Sequence, residues 1–249
     1  MRIAVCLKRV PDTTARIVIA ADGKSIDETG VKFVVNPYDE YAIEEALKLK
    51  ETAGAGETVA ICLGSDAAQE TLRTALAMGV DRAVLLQCPG GSDGLEVARA
   101  LAAELKAGSY DLILFGKLAV DDYNHQVGPM VAELLELPCI TSVAHLTVAN
   151  GALEAEREIE GGIEVSTAAL PAVLTCDKGL NSPRLPSLKG IMAAKKKPLE
   201  VKPVTLGAGG LTLLGLSLPP DRKPGQIVGE GADAVPALVK LLREEAKVI

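Results

Sequence analysis

The chain has 249 residues, of which 48% are hydrophobic and 24% are charged, and its formal net charge is −7. This composition fits one α/β domain, or one domain with an arm, and the chain is long enough to bury a sizeable core. The acidic pI, near 5.1, argues against a nucleic-acid binder, which normally shows a basic face.

Neither the amino terminus nor the cysteines indicate secretion or a metal site. The first ten residues are typical of a β-strand, not of a targeting segment, and no window is apolar enough to cross a membrane. We therefore expect a cytoplasmic protein that is not embedded in a membrane. The five cysteines are widely spaced and include no CxxC pair, so we expect neither a disulfide framework nor a bound metal.

Strand-like apolar runs alternate with helix-like segments along most of the chain. The predicted strands are 2–8, 58–64, 82–88, 111–116 and 172–177. The predicted helices between them are 39–51, 68–79 and 94–106. This alternation predicts an α/β fold with a doubly wound, mostly parallel sheet and with ligand-binding loops at the carboxyl ends of the strands.

The pattern changes after residue 145. Alternating residues with turn signals at Asn150-Gly151 and Gly161-Gly162 predict an antiparallel hairpin insertion. The segment 178–197 is Pro-rich with little period, and an irregular segment of this length is typically functional or disordered. Residues 201–249 are Gly-rich at 207–210 and Pro-rich at 219–225. This composition predicts an extended carboxyl-terminal arm, with a last helix at 233–246.

One loop carries an unusual run of polar side chains, in the stretch FGKLAVDDYNHQVGP at 115–129. A helix cap alone would need only one Asp or Asn. Backbone N–H groups at the following helix start, near Gln126, are suited to a phosphate, and His125 adds a side-chain donor. Asp121 and Asp122 would then accept hydrogen bonds from hydroxyl or amino groups. The run favours a nucleotide site, with helix capping as the alternative, although the chain has neither a P-loop nor a GxGxxG motif.

Six separated motifs resemble the family of electron transfer flavoprotein β subunits, in order and in spacing. They are KRVPD, NPYDEYAIEEALKLKE, QETLRTALAMGVDRA, GKLAVDDYNHQVGP, EREIEGGIEV and LPAVLTCDKGLNSPRLPSLKGIMAAKKK. The resemblance covers about residues 1–200, which would form the nucleotide-binding domain. The arm at 201–249 and its helix would dock on an α subunit.

The resemblance implies an electron-carrier subunit that catalyses nothing alone. A heterodimer would form with an α subunit that holds most of a redox-active FAD, while this chain contacts the flavin and binds AMP structurally. Electrons would come from flavin dehydrogenases, such as the acyl-CoA dehydrogenases of fatty acid oxidation, and leave to a membrane quinone oxidoreductase.

The resemblance also assigns the site residues by position, with Tyr38 near the flavin ring. The cofactor-binding residues would be Cys6, Asn36, Pro37, Tyr38, Asp39, Leu63, Gly116, Lys117, Leu118, Ala119, Val120, Asp121, Asp122, Tyr123, Asn124, His125, Gln126 and Val127. Better-known AMP-binding members have Asn and Thr where this chain has His125 and Val127, which alters two phosphate donors. Partner contacts would involve Arg184, Leu188 as the anchor for the dehydrogenase, and Glu158 as a modulator of domain orientation.

Two other functions stay open. A bifurcating subfamily binds a second FAD in the same pocket and oxidises NADH. Its loop typically reads DGDTAQVGP, whereas this chain has Asp122 at the Gly position and His125 at the Ala position. We therefore favour AMP. A stand-alone AMP- or ATP-binding sensor of the stress type would share the fold, but we expect it to lack the 181–197 loop and the arm.

Overall fold

The computed structural model describes residues 1–89, 93–207, 209–221 and 224–249. The described helices are α1 (Pro37–Ala53), α2 (Ala68–Met78), α3 (Gly94–Gly108), α4 (Val127–Leu135), α5 (Leu188–Ala194) and α6 (Val235–Glu244). The described strands are β1 (Arg2–Leu7), β2 (Arg9–Pro11), β3 (Phe33–Val35), β4 (Glu57–Gly64), β5 (Arg82–Gln87), β6 (Leu112–Gly116), β7 (Cys139–Ala149), β8 (Ala152–Ile159), β9 (Gly162–Ala169), β10 (Ala172–Cys176) and β11 (Leu199–Pro203).

Within these ranges, one large sheet has nine strands in the order β11-β5-β4-β1-β6-β10-β7-β8-β9. The strands from β11 to β7 pair in parallel, and β8 and β9 add an antiparallel edge. β2 and β3 form a separate antiparallel pair. The predicted α/β fold with a mostly parallel, doubly wound sheet is confirmed.

Helices cover the parallel strands on both faces. The apolar sides of α1 and α2 join one core cluster, and those of α3 and α4 join the other. The strands between them are continuous apolar runs because both their faces are buried. In β1, Ile3 and Val5 belong to one cluster and Ala4 and Cys6 to the other. Burying a side chain such as Ile3 contributes about 1.5–3 kcal/mol to folding.

The chain reverses its direction of progress across the sheet beside β1. From β1 it runs to β4 and then to β5, and it crosses back through α3 to β6, which pairs with the other side of β1. Loops that leave neighbouring parallel strands in opposite directions open a crevice at the carboxyl ends of those strands. The predicted polar loop after β6 therefore lies next to the end of β1.

The predicted hairpins are present, with one small difference. Asn150 and Gly151 form the β7–β8 turn, with φ of 52° and 78°. The second turn is formed by Glu160 and Gly161, since Gly162 is already the first residue of β9. The positive φ of Gly161, 81°, explains why this turn uses a glycine.

The segment 178–197, predicted to be irregular, contains helix α5. Its cap is Ser187, whose hydroxyl accepts a hydrogen bond from the backbone N–H of Gly190 at 3.0 Å. A Cβ at Gly190 would collide with the backbone carbonyl of Ala77, so glycine is what allows α5 to lie against α2. Two helical turns are too short to produce a readable hydrophobic period, which is why the sequence pattern missed this helix.

The described chain divides into two compact units. The first comprises Met1–Val18 and Ile26–Leu214, and it includes β11. β11 lies in the sheet because its backbone pairs with β5. Three of the residues in the Gly- and Pro-rich stretches, Ala208, Arg222 and Lys223, lie outside the described residues.

The second unit comprises Ile19–Ser25 and Gly215–Ile249. Its two parts are joined by a hydrogen bond from the N–H of Leu216 to the carbonyl of Gly23, at 2.8 Å. A 3₁₀ turn, Ala232–Ala234, leads into α6, the helix that the sequence predicts at 233–246. Among the described residues of the chain, no helix combines the length and the apolar character needed to cross a bilayer.

Candidate functional site

Three chain segments meet at the carboxyl ends of β1 and β6. They are residue 8 after β1, the start of α1 and the loop after β6. Asp39, in the first turn of α1, joins all three. Its carboxylate accepts hydrogen bonds from the backbone N–H groups of Lys8, at 2.7 Å, and Gly116, at 3.1 Å. It also accepts one from the side-chain amide of Asn36, at 2.8 Å.

Asp39 is buried at this junction. Burial raises the pKa of its carboxyl from 3.8 to about 7, although the hydrogen bonds from Asn36, Lys8 and Gly116 act in the opposite direction. A Cβ at Gly116 would collide with the Asp39 side chain, so glycine at the end of β6 is required for this close approach. The carboxylate is therefore occupied by contacts within the chain.

Asn36 holds the loop that follows β6. Its side-chain amide donates to the carbonyl of Leu118 at 2.7 Å, and its side-chain oxygen accepts from the N–H of Val120 at 3.1 Å. Asn36 is fully buried, and a buried amide is stable only when its donors and acceptor are satisfied. The sequence resemblance placed Asn36 in the pocket, and the structure shows it fixing the loop backbone.

Lys8 adds a cation that the sequence analysis did not single out. Its ammonium nitrogen lies 2.8 Å from Oδ1 of Asp121 and 2.9 Å from Oδ2 of Asp122. Lysine lies within the quoted motif KRVPD, but only the tertiary structure shows that it reaches a loop more than a hundred residues away. The two adjacent carboxylates thus share one positive partner.

The tip of the loop is exposed and tightly turned. Tyr123 and His125 both have a φ of 55°, which is uncommon for residues other than glycine. The N–H of Tyr123 donates to the carbonyl of Ala119 at 2.9 Å. The N–H of Asn124 donates to a side-chain oxygen of Asp122 at 3.1 Å. These contacts hold the polar side chains from 121 to 126 on the surface.

The loop leads directly into the amino terminus of α4. Gln126 is the N-cap residue, and among the described residues no side chain caps this helix. The first N–H groups of a helix have no intrahelical partner, and here these are the N–H groups of Val127 and Gly128. An uncapped helix start beside acceptor carboxylates offers both donors and acceptors, the chemistry that a nucleotide needs.

The remaining predicted cofactor residues surround this junction. Cys6 is buried in β1, Leu63 lies near the end of β4, and Leu118 is buried in the loop. Burial raises the pKa of the Cys6 thiol well above its ordinary value, so it stays neutral. Tyr38 and Pro37 begin α1.

Lys117 fixes the surroundings of Tyr38. Its ammonium group lies 5.3 Å from the centre of the Tyr38 ring and forms an ion pair with Asp177 at 2.7 Å. A cation over an aromatic face is attracted by the ring. The Tyr38 ring thus has a cationic neighbour that is itself paired with a carboxylate.

The predicted partner residues lie apart from this junction. Leu188 is 83% exposed as the first residue of α5. Arg184 is held by ion pairs with Glu44 and Glu51 of α1, at 2.8 and 2.6 Å. Glu158 is exposed on β8, where it lies opposite Ile163 of β9.

Helix α5 has a fixed inner side and an exposed outer side. Arg73 of α2 donates to the carbonyls of Ala194 and Lys197, at 2.6 and 2.9 Å. The side chain of Lys197 donates to the carbonyls of Leu76 and Val80, at 2.9 and 2.6 Å. Leu188 and Met192 of α5 are 83% and 72% exposed, and Leu185, which precedes the helix, is 90% exposed. We call these three side chains the apolar patch.

Comparisons with known proteins agree with this architecture. Residues 24–206 match the electron transfer flavoprotein domain. The electron transfer flavoprotein subunit beta of Bacillus subtilis (strain 168) is 44% identical over 260 residues, covering 100% of both chains. The subunit beta of Syntrophomonas wolfei is 39% identical, covering 100% of this chain and 98% of the relative. The human subunit beta is 40% identical, covering 98% of each.

The family domain includes the loop after β6 and helix α5, and the full-length relatives include the end of β1 as well. One family therefore accounts for both the six sequence motifs and the doubly wound sheet. The chain belongs to the family of electron transfer flavoprotein β subunits.

Proposed function

We propose that the chain pairs with an FAD-holding α subunit and, in that heterodimer, carries electrons from flavin dehydrogenases to a membrane quinone oxidoreductase. Acyl-CoA dehydrogenases, the first enzymes of fatty acid oxidation, are the proposed donors. As an electron transfer flavoprotein β subunit, the chain is a component of an electron carrier. In this proposal it binds AMP as a structural ligand, and Tyr38 contacts the flavin.

The observation that carries the nucleotide proposal is the combination of donors and acceptors on one loop. The uncapped start of α4 supplies N–H groups for a phosphate, and Asp122 supplies an acceptor for the nucleoside. Residues buried below this loop hold its backbone in place, with Asn36 and Asp39 at the centre. Since the phosphate contact relies on backbone groups, the unusual side chains of His125 and Val127 do not remove it.

The residues present also fit a flavin edge. FAD supplies one- and two-electron redox chemistry when it is bound, and the protein supplies position and electrostatics. Tyr38 offers an aromatic side chain beside the loop, and the ammonium group of Lys117 lies over its ring. The ion pair with Asp177 leaves Lys117 as part of a neutral pair.

The apolar patch supports docking of a dehydrogenase. Its three side chains are exposed, whereas the inner side of α5 is held by Arg73 and Lys197 of the same unit. A small, rigid apolar patch can concentrate the energy of a transient interface in few residues. In this proposal Leu188 anchors the dehydrogenase, and the charge of Glu158 modulates domain orientation.

Unit two supports assembly with the α subunit. Among its described residues, α6 buries none of its side chains, and Val235 and Leu238 are 52% and 42% exposed. An amphipathic helix with an uncovered apolar side is typical of a subunit contact. We propose that α6 docks on the α subunit.

Co-expression with an α subunit tests the proposal. We expect a one-to-one heterodimer in size-exclusion chromatography, with one FAD and one AMP released on denaturation. Release of a second FAD, together with flavin reduction by NADH, would instead establish the bifurcating function. A stable monomer of this chain that holds FAD by itself, or a heterodimer without any nucleotide beyond its single FAD, would contradict the proposal.

A further inference from the structure

Lys8 connects the end of β1 to both other segments of the site. Its backbone N–H donates to Asp39 at 2.7 Å, and its carbonyl accepts from the N–H of Asn36 at 3.0 Å. Its ammonium group donates to Asp121 at 2.8 Å and to Asp122 at 2.9 Å. The backbone of Lys8 is thus fixed at the junction, and its side chain extends over the loop.

The charge of Lys8 matters because of what lies around it. Asp121 and Asp122 are neighbours in sequence and precede the start of α4 by only a few residues. Two uncompensated carboxylates there would repel a phosphate bound at the helix start. Partial burial acts to lower the pKa of Lys8, but hydrogen bonds with Asp121 and Asp122 outweigh it and raise that pKa. The side chain is therefore positively charged at neutral pH.

We propose that Lys8 is a positioning and charge-compensating residue of the nucleotide site, which holds Asp121 and Asp122 so that the loop accepts a phosphorylated nucleoside. This inference rests on the proposed nucleotide-binding function. In this proposal, Lys8 is the residue that makes the site bind a nucleoside monophosphate more tightly than the uncharged nucleoside. With Lys8 in place, the three side chains sum to one negative charge; without it, they sum to two.

A purely mechanical role for Lys8 makes a different prediction. If the side chain only ties the loop to β1, its loss disturbs binding of AMP and of adenosine equally. If it compensates charge, its loss weakens AMP far more than adenosine, and the difference shrinks as salt is added, because about 41% of the side chain is exposed. The ratio of the adenosine and AMP dissociation constants separates these roles.

The test uses the nucleotide-depleted heterodimer and calorimetric titration with AMP and with adenosine. For Lys8→Met we expect AMP affinity to fall about tenfold at low ionic strength and adenosine affinity to change less than about twofold. Adding Asp121→Asn and Asp122→Asn to Lys8→Met should raise the ratio to the wild-type value or above it, because three neutral side chains no longer repel the phosphate. Lys202→Met is the matched control, because Lys202 also lies between two carboxylates, Glu104 at 2.8 Å and Glu200 at 3.6 Å. This control should leave the ratio unchanged.

A second variant keeps the test decisive if Lys8→Met does not assemble. Asp121→Asn with Asp122→Asn in the presence of Lys8 should raise the ratio by more than about tenfold, because the local charge changes from one negative to one positive, twice the change that Lys8→Met makes. An unchanged or lower ratio in this variant would overturn the inference, as would equal loss of both ligands in Lys8→Met. A wild-type heterodimer that binds neither AMP nor adenosine would refute the proposed nucleotide site itself.

Discussion

Arg184 and Glu44 form a two-pronged ion pair between the segment that precedes α5 and helix α1. Nε of Arg184 lies 2.8 Å from Oε2 of Glu44, and Nη2 lies 2.9 Å from Oε1. Glu44 is buried, and Arg184 also pairs with the exposed Glu51. Hydrogen bonds with Glu51 and Glu44 raise the pKa of Arg184 above its ordinary value, so it remains charged. Arg184 therefore holds the segment that presents the apolar patch.

Arg184→Gln should destabilise the fold and weaken docking through the position of α5. Removing the arginine leaves the buried Glu44 without its cation, which we expect to cost about 2 kcal/mol, less than for a fully buried pair because Arg184 is partly exposed. Thermal unfolding and dehydrogenase-coupled flavin reduction are measured on the same heterodimer. Glu51→Gln is the control and should have a small effect, since its side chain is 58% exposed. Unchanged melting with lost electron transfer would mean direct partner contact instead.

Leu188→Ala should reduce electron transfer without affecting folding. The side chain is 83% exposed, so truncation leaves no cavity in the core. Loss of an interface hot spot costs about 2 kcal/mol, which corresponds to roughly thirtyfold in affinity for the dehydrogenase. The readouts are the melting temperature, the FAD content and the rate of flavin reduction as the dehydrogenase concentration is varied.

Gly190→Ala is the matched comparison on the inner side of the same helix. A methyl group there would collide with the carbonyl of Ala77, so α5 would have to move away from α2. We expect this variant to melt at a lower temperature, unlike Leu188→Ala. Early melting of Leu188→Ala with normal electron transfer per folded molecule would rule out the docking role.

Asp122→Ala combined with Gln126→Ala should lower the AMP content of the purified heterodimer. The first change removes the acceptor for the N–H of Asn124 and one carboxylate partner of Lys8, and the second changes the N-cap residue of α4. A ligand that binds only the folded state stabilises it, so the heterodimer should also melt at a lower temperature. The nucleotide released on denaturation is quantified by chromatography. Full AMP occupancy in the double variant would contradict the assignment of the pocket.

The buried carboxyl of Asp39 should make stability depend on pH. Its folded pKa, about 7, lies above its ordinary value of 3.8, so the folded state binds the proton more tightly than the unfolded state. Its contribution to the unfolding free energy is therefore greatest at low pH and is lost as pH rises towards 7. Relative to Asp39→Asn, the wild type should lose up to about 1.4 kcal/mol per pH unit from pH 5 to 7, and nothing further above 8.

Chemical unfolding of the wild-type and Asp39→Asn heterodimers from pH 5 to 8.5 measures the two unfolding free energies. Subtracting one from the other cancels the contributions of all other titrating groups. Asp81→Asn is the control, because hydrogen bonds with Lys50 and Thr58 outweigh burial and lower the pKa of Asp81. The difference between wild type and Asp81→Asn should be flat over this range. A flat difference for Asp39→Asn as well would show that Asp39 is ionised throughout.

Local patterns in the sequence determined the elements of the sheet. Apolar runs such as that of β4 and periodic segments such as that of α1 appear in the structure within a few residues of their predicted bounds. Asn150-Gly151 determined a hairpin turn because few other pairs tolerate two positive φ values. Periodicity and turn chemistry act over a few residues, so they can be read without knowing the fold. The polar loop after β6 was visible for the same reason.

The contacts that make the candidate site were decided only by the tertiary structure. Lys8 and Asp121 are 113 positions apart, and they meet because crossing back through α3 puts β6 beside β1. Arg184 stays a predicted partner contact, and only the tertiary structure shows that its side chain also pairs with Glu44 of α1, 140 positions away. Helix α5 was missed because it is held by α2 and by Gly190 rather than by its own period. Long-range pairing depends on how elements pack, and no local pattern encodes which distant side chain will neutralise a given charge.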